Sequence, residues 1–178
     1  METAYKIFAS ILIITSCATT LSMKDYLSSQ RARIMCTTLF NKINDAHFKP
    51  EAILAIVRGG VIPAGYLAGE GFLNNKNLFF ISIESYDKTK QSEIKLRNFH
   101  KEDLKDFKSI LIVDDIVDSG KTMEFTKGLL ADIKDTVIKT AALYYKPSTA
   151  TFKPDFYAAE TSDWIVFPWE TRDDCFVS

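Results

Sequence analysis

The stretch LIVDDIVDSGKTM, residues 111–123, joins an apolar run to a pair of acids and then to a polar turn that contains glycine. Its first three residues are typical of a strand that is buried on both faces of a sheet. Asp114 and Asp115 come next, and residues 118–122 lead into a helix predicted over about 122–133. Amide groups at the start of a helix, assisted by hydroxyl side chains, bind phosphate groups. The stretch therefore predicts a strand, an anion-binding turn and a helix, with two carboxylates beside the turn.

The rest of the chain alternates apolar runs with helical patterns. The apolar runs predict five strands, over residues 52–57, 78–83, 110–113, 137–145 and 155–159. Strands that alternate with helices indicate an α/β domain with a parallel sheet. Ligands of such sheets bind beyond the carboxyl ends of the strands, so the polar residues that follow each strand are the candidate site.

The segments between the strands predict helices and one long polar loop. A helix is predicted over 28–46, and its apolar face is formed by Ile34, Met35, Leu39, Phe40 and Ile43. A second helix follows Gly60, with Pro63 in its first turn and Gly71 near its end. Residues 86–106 are polar and rich in charge, which predicts a long loop or a mobile flap.

Composition limits the class of protein. The chain has 178 residues, of which 47% are hydrophobic and 25% charged, as in a soluble globular domain. Its net charge of −1 gives no basic field for nucleic acid. The three cysteines, Cys17, Cys36 and Cys175, are widely spaced and fit neither a disulfide framework nor a zinc site. We therefore expect a reduced, cytoplasmic setting and no nucleic-acid partner.

The residues GKT at 120–122 also end the loop motif of nucleotide triphosphatases, which needs a glycine five residues before its second glycine. Asp115 occupies that position. The whole stretch 111–123 instead resembles the phosphoribosyl-diphosphate signature of the type I phosphoribosyltransferases. The resemblance implies an α/β fold with a mostly parallel central sheet flanked by helices, a small hood and a flexible flap. It also implies that Asp114 and Asp115 hold the ribose hydroxyls, that Asp118 is the catalytic base, and that the phosphoribosyl diphosphate is further bound by Ser119, Gly120, Lys121 and Thr122.

Two further stretches resemble the bacterial xanthine-guanine (hypoxanthine) enzymes of that family. The segment AIVRGGVIPA at 55–64 resembles their diphosphate loop, which implies that the diphosphate is bound by Arg58, Gly59 and Gly60. That loop often holds a non-proline cis peptide, and the matching bond here is Arg58–Gly59. The segment Ser85, Tyr86 and Asp87 resembles the start of the catalytic flap. Ser92 stands near the place of a flap arginine in some relatives, so no flap cation is assigned.

The same resemblance implies a purine site and a metal site. Lys146 and Trp164 stand where purine enzymes place a lysine against the 6-oxo group and an aromatic ring on the base. A lysine donates and cannot accept, so it favours hypoxanthine, guanine or xanthine over adenine. The implied purine-binding set is Ile116, Lys146, Trp164 and Ile165. Glu170 stands where relatives often have an aspartate. The implied Mg²⁺ ligands are Asp114 and Glu170. We expect Trp169 to pack in the core.

The function implied is transfer of 5-phosphoribosyl from phosphoribosyl diphosphate to a 6-oxopurine in purine salvage. The alternative is a non-catalytic, nucleotide-sensing regulator with the same fold. Family members are commonly dimers or tetramers, so a homo-oligomer is implied by the resemblance alone.

The N-terminal residues 1–22 allow two interpretations. Residues 7–23 carry no charge, and ITSC at 14–17 resembles a lipoprotein cleavage box, which indicates an export or lipid-anchor signal. Alternatively Met23 is the true start, and residues 23–178 form the single phosphoribosyltransferase domain. We expect the second arrangement and a cytoplasmic protein, because the implied substrate is cytosolic; the first would make the protein membrane-associated.

Overall fold

The computed structural model describes residues 23–69, 77–85, 94–97 and 99–170. Within these ranges the chain forms eight strands, three α-helices and one 3₁₀ helix. The strands are β1 (Lys24–Tyr26), β2 (Ala52–Val57), β3 (Leu78–Ser85), β4 (Ile94–Arg97), β5 (Ser109–Val117), β6 (Val137–Tyr145), β7 (Phe156–Glu160) and β8 (Trp164–Val166). The α-helices are α1 (Ser29–Asp45), α2 (Val61–Leu67) and α3 (Lys121–Leu129), and the 3₁₀ helix is Lys101–Leu104. None of the helices in this part of the chain has the length and apolarity needed to cross a membrane.

The central sheet has six strands in the order β4-β3-β2-β5-β6-β7. All neighbours are parallel except β3 and β4, which are antiparallel. The predicted α/β class with a mostly parallel sheet is therefore confirmed. Strands β2, β5 and β6 lie side by side, so the residues that follow their carboxyl ends meet at one edge.

Alternating residues of the central strands form two cores, one on each face of the sheet. Leu111 and Val113 of β5 pack in the cluster with α1 and α2. Ile110 and Ile112 point to the other face, in the cluster that contains Met123 of α3. Both faces of β5 are covered at residues 110–113, which is why this part of its sequence is a continuous apolar run.

Strand β5 is longer than predicted. The prediction ended it at Val113, but pairing with β6 continues to Val117, opposite Tyr145. Asp114 and Asp115 therefore lie inside the strand rather than after it. Because β6 pairs with the strand on both sides of this pair, the backbone that carries the two carboxylates has a rigid support.

The predicted helix over 28–46 is confirmed as α1, with Ser28 as its N-cap accepting a hydrogen bond from the Arg31 amide at 3.2 Å. Its predicted apolar face is wrong at Ile34, which is 59% exposed. The buried residues of α1 are Ala32, Met35, Cys36, Leu39 and Ile43, and they form one stripe at helical spacing. Ile34 lies outside that stripe.

Other boundaries differ from the prediction. Helix α3 ends at Leu129 instead of near 133, and Pro63 lies in the first turn of α2 as predicted. The stretch 86–106 is not one loop, because it contains β4 and the 3₁₀ helix. Strand β4 pairs with the edge of β3, and its four residues, IKLR, are too few for their alternation of apolar and charged residues to predict a strand within a polar stretch. The predicted helix end at Gly71 lies outside the described residues.

A second, two-stranded sheet was not predicted. Strands β1 and β8 pair in parallel, with Asp25 opposite Ile165. Each strand has three residues, too few for a periodic signal. This small sheet carries Trp164 and Ile165, two of the residues assigned to the purine.

Candidate active site

Two neighbouring acids of β5 form the centre of the site. The Asp115 amide donates to Asp114 Oδ1 at 2.9 Å, and the indole Nε1 of Trp169 donates to Asp115 Oδ2 at 3.1 Å. Burial raises the pKa of Asp114 well above its ordinary value, and the adjacent charge of Asp115 raises it further. Burial also raises the pKa of Asp115. When both carboxyl groups are ionised, the pair is stabilised by hydroxyl donors or by a cation.

The loop after β2 approaches these acids so closely that only glycine fits. A Cβ on Gly59 would meet the Asp115 carboxylate, and a Cβ on Gly60 would meet the carbonyl oxygen of Val113 and lie 2.7 Å from that of Ile56. The Gly60 amide donates to the Ile56 carbonyl at 2.9 Å, which fixes the loop against β2. The two glycines are therefore required by packing of this loop on β5.

The cis peptide bond in this loop is Val57–Arg58, so its predicted position at Arg58–Gly59 is wrong by one residue. Strand β2 ends at Val57, and the chain leaves the ladder at that bond. Arg58 is exposed at the same edge of the sheet as the acids.

The turn between β5 and α3 has backbone and hydroxyl groups suited to an anion, and we call it the anion cradle. Gly120 is the N-cap of α3 with a positive φ of 83°, a conformation that favours glycine. A cavity of about 110 Å³ lies at this turn, and its lining includes Asp114, Asp118, Ser119, Gly120 and Thr122. The Thr151 amide donates to the Ser119 carbonyl at 3.0 Å, so the turn is held from a neighbouring loop. Lys121 begins the helix, and its amide donates weakly to Ser119 Oγ at 3.4 Å.

A buried lysine faces the far end of the turn. Lys146 follows β6, its side chain is 9% exposed, and its Nζ lies 2.9 Å from Asp118 Oδ2. Thr149 Oγ1 lies 2.8 Å from Asp118 Oδ1. Burial raises the pKa of Asp118, but the hydrogen bonds from Lys146 and Thr149 outweigh it and leave the pKa below its ordinary value. Asp118 is therefore ionised at neutral pH, as a proton acceptor must be.

An exposed indole completes this end of the site. Lys146 Nζ lies 5.7 Å from the ring centroid of Trp164, which is 49% exposed. Ile165, by contrast, is buried beside it in β8. Ile116 is half-buried on β5 and lines the cavity at the turn. An exposed ring beside a lysine can take a flat heterocycle on its face.

Two contacts of the site were not predicted from the sequence. Trp169 stacks on Phe167 with centroids 4.8 Å apart, as core packing predicts, but its indole N–H also holds Asp115. Thr149 contacts Asp118, 31 residues away. The position of Trp169 beside Glu170 was a possible signal for the first contact, whereas nothing local indicates the second.

The chemistry of the acids fits a magnesium ion. In the described ranges no three His, Cys, Asp or Glu residues cluster as a complete metal site. Mg²⁺ usually needs only one or two carboxylates, with waters and phosphate oxygens as its other ligands. Glu170 Oε2 accepts from the Phe167 amide at 3.1 Å, and its charge contributes to the raised pKa of Asp115. Glu170 thus lies near Asp115, which follows the predicted ligand Asp114 in the chain.

The predicted flap residues are described only in part. Ser85 is the last residue of β3, while Tyr86 and Asp87 lie outside the described residues. A larger cavity of about 540 Å³ lies between α1 and α2, and its described lining includes Trp169, which also contacts Asp115.

Comparison with known proteins agrees with this geometry. The family model of the phosphoribosyl transferase domain matches residues 22–175. Curated xanthine-guanine phosphoribosyltransferases from Idiomarina loihiensis and Desulfotalea psychrophila are 34% and 36% identical; these matches cover 67% and 68% of this chain and 71% of each relative.

Solved structures show the same fold. A purine phosphoribosyltransferase from Pyrococcus horikoshii is 33% identical, with a TM-score of 0.69 over 84% of this chain and 95% of that one. A xanthine-guanine-hypoxanthine phosphoribosyltransferase from Helicobacter pylori is 28% identical, with a TM-score of 0.72 over 83% and 94%. Together with the family match, the acids of β5, the anion cradle and the fold establish that this chain belongs to the phosphoribosyltransferase family.

Proposed function

We propose that the protein is a purine salvage enzyme. It transfers the 5-phosphoribosyl group of phosphoribosyl diphosphate to a 6-oxopurine, forming the nucleotide and releasing diphosphate. One observation carries the proposal: the acid pair of β5, the anion cradle and the Lys146–Asp118 pair lie along one edge of the sheet. The curated relatives named above, which are xanthine-guanine phosphoribosyltransferases, support the purine as acceptor.

The sugar substrate spans the acids and the turn. Its 2′- and 3′-hydroxyls donate to the carboxylates of Asp114 and Asp115, which as ionised groups only accept. Its 5′-phosphate binds the amides of the turn at Ser119, Gly120, Lys121 and Thr122. The diphosphate lies towards the loop after β2, where exposed Arg58 and the amides of Gly59 and Gly60 offer donors.

A magnesium ion fits this assignment. Asp114 and Glu170 would hold it together with oxygens of the substrate, and it supplies positive charge against the departing diphosphate. The protein contributes by fixing both carboxylates before the substrate binds, because Asp114 lies in a paired strand and Glu170 accepts a backbone hydrogen bond.

The base stacks on Trp164, and Lys146 donates to its 6-oxo group. The backbone at Ile165 contacts the opposite edge of the base, and Ile116 lines the bottom of the purine site. Adenine is disfavoured because its 6-amino group and the ammonium group are both donors. Among the three 6-oxopurines, the residues named here make no further distinction.

Asp118 acts on the proton of the purine. As the new bond to the anomeric carbon forms, the other imidazole nitrogen loses its proton to the Asp118 carboxylate. The low pKa of Asp118 keeps it ready to accept at neutral pH. Closure of the segment that begins at Ser85, with Tyr86 and Asp87, is proposed to exclude water from the reacting sugar.

The test is a steady-state assay of the purified protein with phosphoribosyl diphosphate, Mg²⁺ and each of xanthine, guanine, hypoxanthine and adenine. We expect nucleotide formation with the 6-oxopurines and little with adenine. Asp118→Asn should lower kcat by about 10²- to 10⁴-fold, the usual range for a general base. Nucleotide formation by the variant at the wild-type rate would remove Asp118 from that role.

The other predictions from the sequence stay proposals. The regulator alternative gains no support from the relatives described above. A cytoplasmic location and a homodimer or homotetramer are consistent with the family, and a native mass spectrum of the purified protein tests both the assembly and the true N-terminus.

A further inference from the structure

Asp118 is held by two donors that differ in kind. Lys146 Nζ lies 2.9 Å from Oδ2, and Thr149 Oγ1 lies 2.8 Å from Oδ1. Thr149 Oγ1 is also 3.0 Å from the backbone carbonyl of Asp118. A hydroxyl carries one proton, and the shorter contact to a charged oxygen takes it. Each carboxylate oxygen of Asp118 thus has its own donor.

The two donors are not equally available once a purine binds. In the proposed function, Lys146 must donate to the 6-oxo group, and its four-carbon stem lets the ammonium group move. Thr149 has a short, branched side chain, and its loop is fixed by hydrogen bonds from the Thr149 and Ala150 amides to the Lys146 carbonyl, at 3.3 and 3.0 Å. Thr149 therefore stays in place when Lys146 turns towards the base.

We propose that Thr149 is a positioning residue for Asp118, which it holds by Oδ1 so that Oδ2 receives the proton of the purine. The inference rests on the proposed function and adds a residue to it. The side chain of Asp118 is 48% exposed, so packing alone does not fix its torsion angles. In the transfer, the N–H bond of the imidazole breaks and an O–H bond forms at Oδ2, the atom that Lys146 leaves.

The experiment compares Thr149→Val, which removes the hydroxyl at nearly constant shape, with Thr149→Ser, which retains it. Thr151→Val is the comparator, because Thr151 lies in the same loop and its Oγ1 bonds the Ser119 carbonyl at 3.2 Å without contacting Asp118. Thr149→Val should lower kcat by about 10- to 150-fold, the effect of losing one hydrogen bond to a charged group, with the KM for phosphoribosyl diphosphate nearly unchanged. Thr149→Ser should restore most of the rate.

Two readouts separate orientation from a general loss of structure. Thr149 lowers the pKa of Asp118, so in Thr149→Val the acidic limb of the pH–rate profile should move to higher pH. In Thr151→Val that limb should stay at the wild-type position. A carbon-13 NMR titration of Asp118 should show the same upward shift of its pKa in Thr149→Val without any turnover.

The outcomes are distinct. A wild-type rate and a wild-type acidic limb in Thr149→Val would overturn the role of Thr149 and leave the proposed function standing. An equal shift of the limb in Thr149→Val and Thr151→Val would assign the effect to the loop, and would also overturn it. A folded wild-type protein that forms no nucleotide with any 6-oxopurine would overturn the proposed function itself.

Discussion

Gly59→Ala is the sharpest single test of the contact between the diphosphate loop and the acids. A Cβ at this position would meet the Asp115 carboxylate, so the loop and the acid cannot both stay where they are. Asp115 is tied to the Trp169 indole N–H at 3.1 Å, and Gly60 is tied to the Ile56 carbonyl at 2.9 Å. The substitution must therefore break the carboxylate's hydrogen bond or move the loop out of register.

The size of the effect follows from the bond that is lost. A hydrogen bond to a charged group contributes about 1.5–3 kcal/mol, and each 1.4 kcal/mol is a tenfold change in affinity. If the carboxylate moves, its hold on the ribose hydroxyl weakens by this amount. We therefore expect the KM for phosphoribosyl diphosphate to rise by about 10- to 150-fold in Gly59→Ala. The KM for the purine should change much less, because Lys146 and Trp164 are untouched.

The matched control is Gly65→Ala in α2, where an added Cβ meets nothing within 4 Å. Alanine is favoured over glycine inside a helix by about 0.5–1 kcal/mol, so this variant should be slightly more stable and keep the wild-type KM. Both variants are assayed with phosphoribosyl diphosphate varied at saturating purine, and their folding is checked by circular dichroism. If Gly59→Ala retained the wild-type KM for the sugar substrate, the acid and the loop would not form one binding site, and the reasoning would fail.

Three further substitutions test other contacts. Gly60→Ala places a Cβ on the Val113 carbonyl, so urea unfolding should show a loss of about 1–3 kcal/mol from overpacking, and an unchanged midpoint would speak against this close approach. Lys146→Met removes the donor for the 6-oxo group and should lower kcat/KM for guanine and hypoxanthine by about 10- to 150-fold. A kcat/KM equal to that of the wild type would show that Lys146 does not bind the purine. Asp155→Asn weakens a half-buried acceptor of Thr140 and should cost about 1–3 kcal/mol of stability at pH 7. Burial raises the pKa of Asp155, but its donors outweigh this and leave it below the ordinary value, so its contribution is present at neutral pH and lost as pH falls below about 4. The stability gap between Asp155→Asn and the wild type should therefore narrow at pH 3, and a constant gap in urea titrations would contradict the lowered pKa.

Local patterns were sufficient for the central sheet. The runs at 52–57 and 137–145 coincide with β2 and β6 at both ends. β2 is a continuous apolar run buried at five of its six residues, and the last six residues of β6 are buried. Pairing across the chain decided the elements that were missed. Strands β1 and β8 have three residues each, and their partners are about 140 positions apart. Strand β5 continues past Val113 because β6 is beside it, although its own sequence turns polar there.

The same distinction between local patterns and long-range contacts applies to the site. The acids and the anion cradle lie in one stretch of sequence, so their chemistry could be predicted from residue types and spacing. The contact of Trp169 with Asp115 spans 54 residues and that of Thr149 with Asp118 spans 31, and neither follows from a local pattern. The cis peptide was placed one residue too late because its position was implied by the family resemblance, and no local pattern fixes it.

The most direct measurement is a crystal structure of the protein with a 6-oxopurine nucleoside 5′-monophosphate. The account predicts the phosphate on the amides of the turn at residues 118–122, the ribose hydroxyls on Asp114 and Asp115, and the base between Lys146 and Trp164. A nucleotide bound at full occupancy elsewhere, for example in the cavity between α1 and α2, with the turn and the acids untouched, would contradict it.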